Sequence, residues 1–161
     1  MHQNTKQDLI PDMTNTPSPR EKLAILRDHQ AFVKANESSL ELLAEQGELV
    51  TLNQGQTLLR SGVIESHAFI VLEGALRLLA EHPNGKDLFT VGRLEQGGIV
   101  GVVDLLRQAP CEAAIARRPS QLLSLPLALI LELYESDQGL KEGLDQLTSP
   151  CEGALILKKI L

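Results

Sequence analysis

The feature that most constrains this chain is a series of short apolar segments separated by glycines between residues 47 and 125. The segments include "GELVTL", "HAFIVLEG", "ALRLLA" and "KDLFTVGR". Many short strands with regularly spaced turn signals predict an antiparallel sandwich or barrel. The dipeptide Asn84-Gly85 lies between two of these segments and predicts a tight type I′ hairpin turn, which requires positive φ at both central positions.

The period of two within these segments also predicts a core. Side chains at i and i+2 lie on one side of a strand, so we expect alternating apolar residues to face inward. The predicted set is Ile70, Leu72, Leu76, Leu78, Phe89 and Val91. If Phe89 is fully buried, its truncation to Ala should cost about 3–5 kcal/mol.

Helical patterns flank the predicted strands. Leu23, Leu26 and Val33 have helical spacing, and Ser38 followed by Glu41 matches a capping box that would begin a second helix. After the strands, Pro126 is suited to the first position of a helix, and Pro150 is expected to interrupt the helical sequence that follows.

These patterns predict a mainly β fold with flanking helices, an antiparallel β-roll or jelly roll. At 161 residues and 43% apolar, the chain suits a single globular domain. Residues 1–20 are rich in Thr, Asn, Pro and Ser, which predicts a disordered tail. The expected domain is then 21–161, with helices over 21–46, the roll over 47–125 and C-terminal helices over 126–161.

Composition excludes several classes of partner. The chain has 15 Lys plus Arg against 21 Asp plus Glu, a net charge of −6, and no basic run, so we expect no nucleic-acid binding by this chain alone. No run approaches the roughly 18 apolar residues of a membrane helix, so we expect no membrane insertion. Cys111 and Cys151 form no C-x-x-C pair or Cys/His cluster, which favours a reducing, cytoplasmic setting.

Motifs for catalysis are absent from the sequence. There is no G-x-S-x-G, P-loop lysine or Cys-His arrangement, and the four histidines show no i, i+4 pairing. We therefore predict that the protein is not an enzyme and has no metal or other cofactor.

The order of glycines resembles the cyclic nucleotide-binding domain family, the β-roll of catabolite-activator-like regulators and kinase regulatory subunits. The resemblance runs from about Leu23 to Tyr134. It rests on Gly55 with Leu58, on Gly62, and on "FIVLEG" at 69–74. The stretch 97–103 is similar to the family's G-[DE]-x-F-G-E, which opens the phosphate-binding helix.

This resemblance implies a ligand pocket with a degenerate phosphate-binding cassette. Its residues here would be Gly101, Val102, Val103, Cys111, Glu112 and Ala113. Gly101 keeps the family's glycine, but Val102 stands where a glutamate would accept the ribose hydroxyl and Cys111 where an arginine would face the phosphate. Glu112 adds a carboxylate beside that position. We expect binding of cyclic AMP and cyclic GMP to be lost, unless Arg107, Arg117 or Arg118 supplies the missing charge.

Three functional classes stay open. The first is a non-catalytic regulatory or protein-interaction domain, bound to another protein, to another domain of a longer chain, or to a second copy as a homodimer. The second is a sensor of a different small ligand in an apolar pocket lined by Val102, Val103 and Cys111. The third is the ligand-binding part of a larger transcription regulator.

Resemblance also suggests a parent chain. Some bacterial exporters of the ATP-binding cassette type carry such a domain at the N-terminus, on the cytoplasmic side of the membrane. The apolar terminal segment "ALILKKIL" ends without a cap, so we expect it either to pack against the roll or to continue into further sequence.

Overall fold

A computed structural model describes residues 16–85 and 87–160 of the chain. The described strands are β1 Glu48–Leu52, β2 Thr57–Leu59, β3 His67–Glu73, β4 Leu76–Glu81, β5 Leu88–Leu94, β6 Ile99–Val100, β7 Ala113–Ala116 and β8 Ser120–Pro126. The described helices are α1 Pro19–Asp28, α2 Glu37–Gln46, α3 Val102–Arg107, α4 Leu127–Ser136, α5 Gln138–Asp145 and α6 Pro150–Ile160.

The strands form two four-stranded antiparallel sheets. One sheet has the order β1-β8-β3-β6 and the other the order β2-β7-β4-β5. Apolar side chains of both sheets meet between them, including Val71, Leu76, Leu78 and Leu122. The predicted antiparallel β-roll with flanking helices is confirmed.

The predicted inward-facing set is divided between two cores. Val71 and Leu78 belong to the core between the sheets, whereas Ile70 and Leu72 pack against the helices that cover the other face of β3. The expectation that Ile70 and Leu78 share one core was therefore wrong. Both faces of β3 are covered, so a period of two cannot tell which of them faces the second sheet.

β5 is an edge strand, and its predicted core residues are only half-buried. Phe89 and Val91 keep partial exposure, and the Phe89 ring lies 4.8 Å from the ring of His82, measured between centroids. The expectation of full burial for Phe89 was wrong, and the cost of its truncation should fall below the range predicted for a core phenylalanine.

The β4–β5 hairpin lies at the predicted place but has a different turn. The His82 N–H donates to the Asp87 carbonyl at 3.0 Å, and the Gly85 N–H donates to the His82 carbonyl at 3.2 Å. Neither Asn84 nor Gly85 has positive φ. The prediction of a tight type I′ turn was wrong, because the connection from 82 to 87 is long enough to reverse the chain without left-handed residues at these two positions.

The capping box belongs to the first helix and not to the second. The Ser18 hydroxyl accepts from the Glu21 N–H at 3.1 Å, and the Ser18 N–H donates to the Glu21 carboxylate at 2.8 Å. Residues 1–15 of the predicted tail lie outside the described residues, and α1 already begins at Pro19.

The second helix is capped from a distance. Its N-cap is Asn36, so the prediction of a cap at Ser38 was wrong. Asp137, at the junction of α4 and α5, accepts from the Asn36 N–H at 2.8 Å and from the Ser39 hydroxyl at 2.7 Å. Asp137 therefore caps α2, although it lies about a hundred positions away in the sequence.

The C-terminal helices begin close to the predicted prolines. Pro126 is the last residue of β8 and the N-cap of α4. It therefore lies one position before the first helical position, where the sequence predicted it. Pro150 is the first residue of α6, where its missing N–H and fixed φ cost nothing.

Candidate functional site

The candidate site is built around the turn from β6 into α3. Gly101 is the N-cap of α3 and has a φ of +102°. A Cβ at this position would lie 2.9 Å from the His67 carbonyl oxygen and 3.0 Å from the Ala68 Cα. Both the dihedral and the close approach to β3 require glycine here.

The two valines that follow face the core. Val102 is 1% and Val103 4% exposed, and Val102 packs in the cluster shared with the helices. Neither valine lines the cavity that is bordered by the end of β4 and by α6. These side chains fix α3 against the roll, so the predicted apolar pocket lining does not include them.

Asp104 holds the chain that returns after α3. Its Oδ1 accepts from the backbone N–H groups of Cys111 and Glu112, each at 2.8 Å. The Asp104 side chain is 1% exposed. This double contact fixes the start of the return strand and turns the Glu112 side chain toward α3.

The Glu112 carboxylate is bound inside the turn. Its Oε1 accepts from the Gly101 N–H at 2.8 Å, and the residue is 3% exposed. The backbone N–H at the start of α3, which is the type of group that binds anions at helix starts, is therefore satisfied by a carboxylate of the same chain.

Two buried carboxylates lie close together at this site. The pKa of Glu112 is raised to about 7, mainly by burial and also by the negative charges of Asp104 and Glu152, while hydrogen bonds from the Gly101 N–H and the Ser149 hydroxyl oppose the shift. Burial also raises the pKa of Asp104 to about 6 against the hydrogen bonds from the Glu112 and Cys111 N–H groups. The site is acidic and poorly solvated.

A cavity of about 180 Å³ lies beside these groups. It is lined by the end of β4, by residues 110–113 and by one face of α6, with Ser61 and Gly62 completing the wall. Its volume is below the range of about 300–1,000 Å³ that is usual for small-molecule sites. Cys111 and Ala113 both reach this cavity.

Helix α6 closes the cavity. Cys151 is 1% exposed and packs in the core between the sheets. Arg107 at the end of α3 donates from Nε to the Glu152 carboxylate at 2.6 Å, and Lys158 forms a salt bridge with Glu81. The helix is thus anchored at its start, in its first turn and in its last turn.

The structure brings some of the predicted residues together and separates others. Gly101 and Glu112 are in direct contact, and Cys111 lies at the cavity wall with a pKa raised by burial and by nearby carboxylates. Of the candidate replacement cations, Arg107 is engaged with Glu152, while Arg117 and Arg118 are exposed at the other end of β7.

The sequence patterns did not identify Asp104 or the contribution of α6 as parts of the site. The signal for Asp104 was present, because it is the one acidic residue inside the apolar run "VVDLLR". Glu152 and Lys158 left no such signal, since their partners Arg107 and Glu81 are 45 and 77 positions away.

The family model for the cyclic nucleotide-binding domain matches residues 49–137, which is more than half of the chain. The chain belongs to the cyclic nucleotide-binding domain family. The matched segment includes both sheets of the roll, α3 and α4.

A curated relative lies within a much longer protein. Lysophospholipase nte1 of Aspergillus fumigatus is 32% identical over 94 residues, which are 58% of this chain and 6% of that protein. The chain therefore spans only a small part of the length of this relative.

Solved structures show the same fold at low identity. The sensor domain of the transcriptional regulator DNR from Pseudomonas aeruginosa has a TM-score of 0.69 and 19% identity, covering 78% of this chain and 85% of that one. The guanosine-bound regulatory subunit of a cAMP-independent protein kinase A from Trypanosoma cruzi has a TM-score of 0.76 and 13% identity, covering 88% of this chain and 50% of that one.

Two further properties of the described residues bear on function. No helix within 16–85 and 87–160 is long and apolar enough to cross a membrane. In the same part of the chain, no three His, Cys, Asp or Glu side chains are grouped so that they could hold a metal ion.

Proposed function

We propose that this cyclic nucleotide-binding-type domain is a non-catalytic regulatory domain that binds neither cyclic AMP nor cyclic GMP and acts through contact with another protein or domain. The observation that carries the proposal is the 2.8 Å hydrogen bond from the Gly101 N–H to the buried Glu112 carboxylate. In the degenerate cassette, Glu112 takes the position of an anionic ligand.

Charge at the site opposes a cyclic phosphate. Glu112 and Asp104 are both buried carboxylates, and a phosphate at the start of α3 would have to displace one of them or lie beside both. Among the described residues that line the cavity, Lys158 is the only Lys or Arg, and it is paired with Glu81. An anion left without a partner in such a site typically costs about 2–5 kcal/mol of binding free energy.

The other cassette positions support the same proposal. Val102 offers no acceptor for a ribose hydroxyl, and Cys111 offers no positive charge. Gly101 is required by its contact with β3 whether or not a ligand is present. The proposed site residues are therefore the remains of a cassette, filled by the protein's own side chains.

The outer face of α6 is the proposed contact surface for a partner. Ile156, Leu157 and Ile160 are 57%, 55% and 72% exposed, and they share one side of the helix. Exposed apolar residues that cluster are typical of surfaces that bind other proteins. The partner would be another protein, another domain of a longer chain, or a second copy.

The place of the domain in the cell follows from the same proposal. Free cysteines fit a reducing, cytoplasmic compartment. A lysophospholipase relative that carries the matching segment as a small part of a long chain supports a regulatory role within a larger protein. A bacterial exporter and a transcription regulator are parent chains proposed by resemblance alone.

A second candidate is a sensor for a small, largely apolar ligand. Leu79, Ala80, Ala154 and Leu155 line much of the cavity, with Cys111 at its wall. The volume of about 180 Å³ would admit a molecule smaller than a nucleotide.

Calorimetry and thermal melting with millimolar cyclic AMP and cyclic GMP test the main proposal. A ligand at a hundred times its dissociation constant stabilises by about 2.7 kcal/mol, which would raise the melting temperature by roughly 5–10 °C. We expect no such shift and no saturable heat. Any saturable heat would overturn the proposal, and its loss in Arg107→Ala, Arg117→Ala or Arg118→Ala would identify the cation that binds the phosphate.

The proposed contact surface has its own test. Ile156→Glu with Ile160→Glu should abolish self-association in sedimentation analysis if the partner is a second copy, while Leu131→Glu provides a matched control on an exposed residue of α4. A monomer at all concentrations, in the unmodified chain as well, would exclude the homodimer and leave a different protein or domain as the partner.

A further inference from the structure

A second concave surface lies at the opposite end of β4 from the cavity. It is an open groove of about 660 Å³. Four arginines line it, and we call it the arginine groove: Arg77 on β4, Arg93 on β5, and Arg117 and Arg118 after β7. All four are exposed, and their neighbours in the lining are Gln54, Gly55, Thr90, Ile115 and Ala116.

The arrangement of these arginines is unfavourable without a bound anion. Arg77 and Arg93 are directly opposite each other in the β4–β5 register. Side chains so placed have Cβ atoms about 4.5–5.5 Å apart, and like charges at this position destabilise a sheet. Thus the protein holds two guanidinium groups together at a cost in stability.

Acidic side chains do not compensate this charge. Within 16–85 and 87–160, none of the four arginines forms a salt bridge, and no Asp or Glu lines the groove. Arg118 donates to the Gly74 carbonyl at 3.5 Å, which leaves its charge unpaired. Four of the 15 cationic residues of an acidic chain therefore meet in one concavity.

We propose that the arginine groove binds a compact, soluble molecule that carries two or more phosphate groups. Guanidinium groups donate in a planar fork that matches phosphate oxygens, and several phosphates in one molecule supply the charge that four arginines need. The volume of the groove is within the usual range for small-molecule sites.

The negative charge of the rest of the chain opposes binding of an extended polyanion. With a net charge of −6, the surface outside the groove repels a nucleic acid or an anionic membrane wherever it extends beyond the arginines. A compact ligand meets only the groove. This inference does not rest on the proposed function, because the cassette and the groove lie at opposite ends of β4 and share no lining residue.

Calorimetric titration with inorganic tripolyphosphate tests the proposal. We expect saturable binding to one site, with pyrophosphate binding more weakly and orthophosphate most weakly. Arg77→Gln with Arg93→Gln should weaken tripolyphosphate binding about tenfold or more, since two charge-assisted contacts are lost. The matched control, Arg20→Gln with Arg60→Gln, removes two exposed arginines elsewhere and should leave binding unchanged.

Arg93→Glu separates loss of binding from loss of folding. It places a carboxylate opposite Arg77, so it should abolish tripolyphosphate binding and yet raise the melting temperature of the free protein by relieving the repulsion. Absence of saturable tripolyphosphate binding would overturn the proposal. So would equal weakening in the groove and control variants, or equally tight binding of a poly-glutamate peptide, which would assign the groove to an acidic protein segment.

Discussion

The two ends of the sheet β2-β7-β4-β5 have opposite character. At one end, Glu112 and Asp104 are buried, and the Gly101 N–H at the start of α3 donates to the Glu112 carboxylate. At the other end, four exposed arginines surround an open groove with no acidic side chain in its lining. Under our proposal, the charges at the cassette decide whether a cyclic nucleotide-binding fold binds an anion there, and the two carboxylates of this chain oppose it.

Glycine substitutions at the two ends give the largest expected difference. Gly101 and Gly55 both have positive φ, but a Cβ at Gly101 would clash with the backbone of β3, whereas a Cβ at Gly55 would meet nothing within 4 Å. We expect Gly101→Ala to cost about 4 kcal/mol and Gly55→Ala about 1 kcal/mol in chemical denaturation. Equal losses would show that the closed end is not tightly packed.

The stability of the cassette end should depend on pH. The pKa of Glu112 is raised to about 7 in the folded state from an ordinary value of 4.5, so its ionisation opposes folding. The favourable contribution of the protonated form is complete below the unfolded pKa and is lost as the pH rises through the folded pKa. The loss should amount to about 2–3 kcal/mol between pH 4.5 and 8.

Glu112→Gln isolates this contribution, because glutamine keeps an acceptor for the Gly101 N–H but cannot ionise. The difference in unfolding free energy between the two proteins should therefore change with pH in favour of the variant. The pKa of His29 is lowered by burial, which gives an opposite trend, but this trend is common to both proteins and cancels. Parallel pH profiles would contradict a buried Glu112 carboxylate.

The smallest expected effect on stability concerns α6, which closes the cavity beside the cassette. Arg107→Ala removes the salt bridge to Glu152, a partly exposed pair that should contribute up to about 1 kcal/mol. Hydrogen exchange should become faster in α6 and stay unchanged in α1. Arg27→Ala removes an exposed salt bridge to Glu37 and serves as the control. Unchanged exchange in α6 would show that this contact does not hold the helix.

Local signals in the sequence predicted the roll well. The glycines at 55, 62, 74, 97 and 101 all have positive φ, which explains why their order alone identified the framework. Pro150 begins α6 as its chemistry requires. These positions depend on the backbone of their own turn, so the sequence contains what is needed to predict them.

Features set by distant contacts could not be predicted in this way. Asp137 caps α2 from about a hundred residues away, and therefore the local pattern at Ser38 was misleading. The sheet has two covered faces at β3, and so Ile70 was assigned to the wrong core. At the cassette, the residue types indicated lost binding, but only the path of the chain after α3 shows that Glu112 turns inward to Gly101.

In our proposal the Glu112 carboxylate fills the cassette, and a carboxyl-detected NMR titration of this residue measures whether it does. We expect a Glu112 pKa of about 7, unchanged when millimolar cyclic AMP is present. Loss of the raised pKa in Glu112→Gln would assign the signal. A Glu112 pKa near the ordinary 4.5, or a pKa that shifts saturably as cyclic AMP is added, would overturn this proposal, because either result would mean that the carboxylate leaves the cassette open to a ligand.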